Sequence, residues 1–337
     1  MTAPLRVGVL GLAHHHAHFW IEAWSRHPLA APLGLWDADP ARLAAGAERH
    51  GIPAFAHLPD LLAACDAVGI CSETADHPAI VEAACVAGCA ILCEKPLAAD
   101  AEGLARIEAA VGRSGVAFAQ SFPKRTDPVN LAVRDLVREG AIGRVFLARV
   151  RHGHSHGADP AFTAGWWADP ARSGGGTLLD EGIHAADFLR WLFGDPGEAI
   201  ALLGGADGSL AVEDVAVAAW RWPGGLIGEV ATAWRFVAAE TSVELYGTEG
   251  TILLSRVDLA SRDARGPALR IARRAEGGAF RAVPVETAFP GGWFHQRSAE
   301  AFVEAVAAGR PPPAGLSDAA GALRMILRAY DAAGHPR

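Results

Sequence analysis

Short apolar runs alternate with longer amphipathic stretches through the first third of the chain. Arg6–Gly11 (R-V-G-V-L-G) reads as a first strand ending in glycine, and residues about 15–27 read as a helix stopped before Pro28. Pro32–Asp37 and Pro40–His50 repeat the pattern, as do Ala67–Cys71 and Pro78–Ala87, the latter closed by Gly88. Ala90–Cys93, Ala101–Arg113 and Val116–Gln120 complete a strand–helix–strand series. Short buried-type strands separated by helices predict a doubly wound parallel sheet. After Pro123 the rhythm changes. Pro128–Glu139 reads as a helix and Arg144–His152 as a long strand, and a loop at Ser173-Gly174-Gly175-Gly176 opens a helix from about Thr177 to Phe193. From about Ala199 to Val285 the chain reads as strands joined by turns, Pro223-Gly224-Gly225 among them, which predicts a mostly antiparallel sheet. Two helices, Phe294–Ala308 and Ser317–Ala332, close the pattern.

A chain of 337 residues exceeds what one hydrophobic core usually serves, and the change of rhythm places the boundary. We expect an α/β protein with one domain over residues 1–122 and a second over 123–337. The formal charge of −8 argues against a nucleic-acid partner, which calls for a basic stripe. The start lacks a basic and apolar leader, and no apolar run reaches the length of a membrane span. A soluble, cytoplasmic protein with no membrane partner is expected. The five cysteines lie between Cys65 and Cys93 with no Cys-x-x-Cys, and read as small buried hydrophobes rather than a metal or redox site.

The chemistry begins at the end of strand one. Gly11-Leu12-Ala13-His14-His15-His16 is a degenerate form of the G-x-G-x-x-G turn, in which backbone N–H groups at a helix start face a pyrophosphate. Asp37, at the end of strand two, accepts from a ribose 2′-hydroxyl and repels a 2′-phosphate, so NAD is expected over NADP. Only two of the 30 basic residues are lysines, Lys95 and Lys124. Lys95 follows strand four at its C-terminal end, where open α/β sheets place ligands. An ammonium there stabilises a developing alkoxide in a way a planar guanidinium does not. Asp180 and His184 share an i, i+4 spacing behind the glycine-rich loop. His184 is read as general acid/base and Asp180 as its orienting partner or a substrate hydroxyl acceptor. Asp187, one turn on, is a further candidate support, with a structural role as its alternative.

Cys93-Glu94-Lys95-Pro96 and Gly174-Gly175-Gly176-x-x-x-Asp180-x-x-x-His184 resemble the two signature motifs of the Gfo/Idh/MocA oxidoreductases. The resemblance extends to Ile142-Gly143-Arg144-Val145 and the turn Tyr246-Gly247-Thr248-Glu249-Gly250. It implies an N-terminal Rossmann domain, a C-terminal α/β domain with a large open sheet, nicotinamide in the cleft between them, and a homodimer or homotetramer built on that sheet. In the family the loop after strand three usually reads T-P-N-x-x-H; here Ser72-Glu73-Thr74-Ala75-Asp76-His77 stands in its place, with glutamate for proline. The expected NAD contacts are Gly11, Leu12, Ala13, His14, His15, Asp37, Ser72, Thr74, His77, Glu94 and Lys95. Lys95, Asp180 and His184 are the expected catalytic residues, Lys95 and His184 acting on one substrate hydroxyl. Arg125, His154, Trp166 and Trp167 are weaker candidates for the substrate, an ion pair being the alternative for Arg125 and core packing for the tryptophans. Two histidine clusters, His14–His18 and His152–His156, read as polar pocket lining, and no metal site is expected. The resulting reading is an NAD(H)-dependent dehydrogenase or reductase of a sugar, polyol or related small molecule. Its rivals are a redox-neutral hydrolase or isomerase with tightly held NAD, a non-catalytic NAD-binding regulator, and a metal-dependent enzyme.

Overall fold

The computed structural model describes residues 3–206, 208–285 and 293–335. The chain forms two compact units: Met1–Thr126 with Pro290–Ala320, and Asp127–Phe289 with Gly321–Arg337. This differs from a single boundary at residue 122, because a late segment returns to the first unit.

In the first unit, β1 (Leu5–Leu10), β2 (Ala30–Trp36), β3 (Ala67–Ile70), β4 (Ala90–Cys93) and β5 (Phe118–Gln120) form a parallel sheet in the order β2-β1-β3-β4-β5. A lone parallel bridge, Leu35 to Ala54, extends it beyond β2. The chain thus moves outward from β1 on one side and then returns to its other side, the topology that opens a crevice at the strands' C-terminal ends. The helices are α1 (His16–Arg26), α2 (Pro40–His50), α3 (Leu58–Ala64), α4 (His77–Val86) and α5 (Ala101–Ser114). Asp39 and Asp100 cap α2 and α5, and Gly51 and Gly115 close them in the left-handed conformation. In the second unit α6 (Pro128–Arg138) and β6 (Val145–Gly153) are followed by three single-turn helices: α7 (Pro160–Thr163), α8 (Pro170–Ser173) and α9 (Thr177–Asp180). Next come α10 (Gly182–Phe193), β7 (Glu198–Gly204), β8 (Val215–Arg221), β9 (Ile227–Ala233), β10 (Val243–Gly247), β11 (Gly250–Leu254), β12 (Leu269–Arg273) and β13 (Arg281–Ala282). The eight strands run β13-β12-β11-β10-β6-β9-β8-β7, antiparallel except for β6 beside β9. One face carries α10 and a core. The other leaves Ile200, Leu202, Val215, Val217 and Ile227 exposed at alternate positions of β7, β8 and β9.

The late helix α11 (Trp293–Ala307) lies on α1, and this explains the division into units. Trp24 Nε1 donates to the Ala299 carbonyl at 2.9 Å, Gln296 donates to Glu22 at 3.2 Å, and Phe302 and Val303 join the core around Trp20 and Trp24. The last helix, α12 (Leu316–Ala332), is divided between the units at Ala320. All five cysteines are free and buried, as small core residues. Burial pushes the Cys71 and Cys93 thiols well up, away from reactive thiolates. No described helix is long and apolar enough to cross a membrane.

Candidate active site

Gly11 makes the turn after β1 possible. Its φ is +85°, and a Cβ there would sit 2.5 Å from the backbone nitrogen of Ser72. The β1 and β3 loops are therefore in backbone contact, and His14 N–H donates to the Cys71 carbonyl at 3.0 Å. Leu12 N–H donates to Asp37 Oδ2 at 2.6 Å, so the expected ribose carboxylate also clamps the turn. Gly11, Trp36, Asp37, Arg42, Ser72 and Glu73 line a cleft of ≈ 240 Å³ at the strand ends.

Arg42 is the residue that sequence reasoning missed. Its Nη2 and Nε donate to Asp37 at 3.0 and 3.2 Å, and its Nη1 donates to Glu73 Oε1 at 3.0 Å. Asp37 also accepts from Asp39 N–H at 2.7 Å. Glu73, which takes the place of a proline, is thus the far jaw of a carboxylate–guanidinium–carboxylate clamp in the cleft wall.

The loop after β4 is held from three sides. Glu94, fully buried, accepts from Lys95 N–H at 2.5 Å and from His16 Nδ1 at 2.6 Å. Gln120 Nε2 donates to the carbonyls of Glu94 and Cys93 at 2.7 and 3.2 Å. His77 Nδ1 donates to the carbonyls of Pro96 and Leu97 at 3.0 and 3.3 Å. His77 and Glu94, both expected to contact cofactor, also fix the Lys95 loop through these bonds. Burial pushes the Glu94 carboxyl up and holds His16 well below the usual imidazole range, so a neutral His16 donates to Glu94. Lys95 itself is buried. Arg125 pairs with Asp318 at 3.0 Å and donates to the Pro313 carbonyl at 3.4 Å, the ion-pair alternative.

In the second unit the glycine-rich loop is read by Glu213. Its two oxygens accept from Gly176 and Leu178 N–H at 3.1 and 3.0 Å, and Tyr330 OH donates to it at 2.6 Å. A Cβ on Gly176 would lie 1.8 Å from the Glu213 carbonyl, so glycine is required there by contact alone. Asp180 and His184 do not share one continuous helix: α9 ends at Asp180, Glu181 interrupts, and α10 begins at Gly182. Both side chains are nonetheless buried. Trp234 Nε1 donates to Asp180 Oδ2 at 2.8 Å, and His152 lies edge-on to His184 with ring centroids 5.1 Å apart. Of the histidines at 152, 154 and 156, only the first lies in a strand, since β6 stops at Gly153. His152 and His154 converge on Glu181, at 3.3 and 3.7 Å, a carboxylate the sequence did not single out. Trp166 stacks on Trp167 at 3.9 Å, and Trp166 is buried.

A parallel sheet with this order, a glycine turn at β1 and an acidic residue ending β2 define a dinucleotide-binding α/β protein. The comparisons make the assignment specific. Residues 5–122 match the model described as "Oxidoreductase family, NAD-binding Rossmann fold", and residues 130–253 match the "GFO/IDH/MocA C-terminal domain". The chain belongs to the Gfo/Idh/MocA oxidoreductase family. It is 31% identical to a D-apiose dehydrogenase of Paraburkholderia graminis over 268 residues, 76% of this chain and 69% of that protein. It is 35% identical to a 1,5-anhydro-D-fructose reductase of Ensifer adhaerens over 190 residues, and this match spans only 56% of each chain. The fold is that of levoglucosan dehydrogenase in complex with NADH and levoglucosan, with a TM-score of 0.86 at 23% identity over 98% of this chain and 97% of that one.

The first unit fits NAD: its Gly11 turn leaves no room for a side chain, and the Asp37 carboxylate lines a cleft at the strand ends.

Proposed function

We propose that the chain is an NAD(H)-dependent dehydrogenase or reductase acting on a secondary alcohol or ketone of a sugar, polyol or similar small molecule. One observation carries the reading: a buried lysine, in a chain with only two, stands on a loop immobilised by Glu94, Gln120 and His77 at the end of a nucleotide-binding sheet. The named relatives, a D-apiose dehydrogenase and a 1,5-anhydro-D-fructose reductase, support the substrate class.

NAD, held by the Gly11–His15 turn, Asp37 and the Ser72–Thr74 loop, supplies the hydride acceptor or donor. The rest falls to the chain's own side chains. Lys95 stabilises the negative charge that develops on the substrate oxygen. His184 takes or returns the hydroxyl proton, and Asp180, fixed by Trp234, orients the site. Neither Lys95 nor His184 is needed for the pyrophosphate, which backbone N–H groups bind.

The chain is expected to assemble as a homodimer or homotetramer through the apolar face of β7–β9, and to work in the cytoplasm. An exposed row of Ile200, Leu202 and Val217 is a surface that a second copy covers.

The test is a screen of sugars and polyols with NAD, read by NADH accumulation. Lys95→Arg and His184→Asn should each lose about 10²–10⁴-fold in kcat while still binding NADH. The double variant should be little worse than the worse single. Near-normal turnover in either single variant would overturn the assignment, and turnover without NADH accumulation would favour the redox-neutral reading.

A further inference from the structure

Histidines crowd the start of α1 beyond what nucleotide binding uses. His14, His15 and His16 follow one another, with the His14 and His16 ring centroids 4.0 Å apart. α11 adds a member from the far end of the sequence: His295 stacks on His16 with ring centroids 3.5 Å apart. The loop after β4 adds the Glu94 carboxylate, 2.6 Å from His16 Nδ1. One ligand atom from each of His16, Glu94 and His295 lies within 4.8 Å of the others, and the same holds for His14, His15 and His16. The two triads share His16.

We propose that His16, Glu94 and His295 bind a divalent transition-metal ion of the zinc class, a site that goes beyond the oxidoreductase reading and does not depend on it.

Five observations converge. The donor set, two imidazoles and a carboxylate, is the one that zinc and its neighbours prefer over magnesium or calcium. The ligands come from three separate segments, α1, the loop after β4, and α11, so their convergence is a property of the fold rather than of one histidine-rich loop. His295 Nδ1 is buried and has no hydrogen-bond partner, an expense that a ligand would remove. The His16–Glu94 contact is a proton shared between two groups that both ligate when deprotonated. On binding, the ring proton of neutral His16 would pass from Nδ1 to Nε2, leaving Nδ1 and the Glu94 carboxylate to the ion, and the two atoms would then part to about 3.3 Å around a tetrahedral centre with bonds of about 2.0–2.1 Å. Burial keeps His14, His16 and His295 neutral, the form with a lone pair to give. The ion would pin α11 to the loop whose next residue is Lys95.

The test uses the full chain, stripped with a chelator, dialysed against Zn²⁺ and assayed by elemental analysis, with Co²⁺ absorption as a second readout. One zinc per chain is expected, with ligand-field bands for the cobalt form. Zinc should fall below about a fifth of an equivalent in His295→Gln and His16→Gln. It should persist in His18→Gln, which leaves all three ligands in place. It should also persist in His154→Gln, which breaks the other cluster of this kind, His154–Asp180–Glu181. Melting temperatures in chelator identify any variant that fails to fold; His295→Phe, which keeps the ring stack without the nitrogens, then decides. Failure of the native chain to retain zinc, undiminished zinc in His295→Gln and His295→Phe, or loss of zinc in His154→Gln would each overturn the proposal. None of these readouts depends on turnover.

Discussion

The clamp around Arg42 makes cofactor preference a quantitative matter. Asp37 and Glu73 together outweigh the one guanidinium they hold, so this wall of the cleft carries a net formal charge of one negative unit. A 2′-phosphate brings about −1.5 to −2 more. The Arg42 side chain is 29% exposed while Asp37 and Glu73 are buried, so the permittivity of water sets the least value of each interaction. A unit pair at about 4 Å is then worth about 1 kcal/mol. Asp37→Asn keeps the size of the side chain and an acceptor for Leu12 N–H, but removes one charge. It should relieve about 2 kcal/mol of repulsion on the dianion, or about 30-fold in relative affinity. Glu73 lies beyond the guanidinium, at about 6 Å on the same reckoning, so Glu73→Gln should relieve about 1.3 kcal/mol, or about tenfold. The assay is the ratio of Kd for NADPH to Kd for NADH, from fluorescence titration of the native chain and both variants. The native ratio should exceed one, and should fall in the order Glu73→Gln, then Asp37→Asn. If both variants stay within about twofold of the native ratio, the charge argument fails. If the native chain prefers NADPH, Arg42 is available to phosphate despite its two carboxylates, and the clamp has been misread.

Three further outcomes are expected. Leu202→Asp, at a solvent-facing position of the β7–β8 ladder, should shift the assembled species to monomer by light scattering with little change in melting temperature. Burial, with Arg49 and His50 adding to it, holds His18 down at about 4, so the folded chain resists a proton that the unfolded chain accepts near 6.5. Its stabilising contribution is complete above pH 6.5 and declines as pH falls through 4; a melting-temperature series over that window should be flatter in His18→Gln than in the native chain. His16→Gly, which restores the usual third glycine of the nucleotide turn, should destabilise rather than improve the fold, because Glu94 loses a buried partner worth about 1–3 kcal/mol. An unchanged or raised melting temperature would count against that coupling.

Much of the fold was legible because its strands are short, apolar and bounded by glycine or proline, and its helices carry caps. β4 was legible residue for residue, and the β8–β9 turn at Pro223-Gly224-Gly225 was marked by two glycines that adopt positive φ. The seven-residue α3 was not, since it is too short to establish a helical period. The break at Glu181 was hidden because every residue from Thr177 to Phe193 suits a helix, with Gly182 the only mark of interruption. The return of α11 to the first unit was hidden for another reason: an amphipathic pattern shows that a helix has an apolar face, not which core that face meets.

The site divides along the same line. Residues marked by rarity or motif, such as Lys95, Asp37 and Gly11, could be named from the chain alone. Arg42 is one arginine among many, and His295 is an ordinary residue on a helix; each matters only through partners distant in sequence. The two departures from the family pattern show why. His16 stands where a glycine is usual, and its ring is taken up by Glu94, 78 residues away. Glu73 stands where a proline is usual, and its carboxylate is taken up by Arg42, 31 residues away. Scored one position at a time, both motifs look eroded. Taken as pairs, each unusual side chain is answered by a charge or hydrogen bond from another element, so the nucleotide turn and its carboxylate are kept by partners that no single motif position reveals.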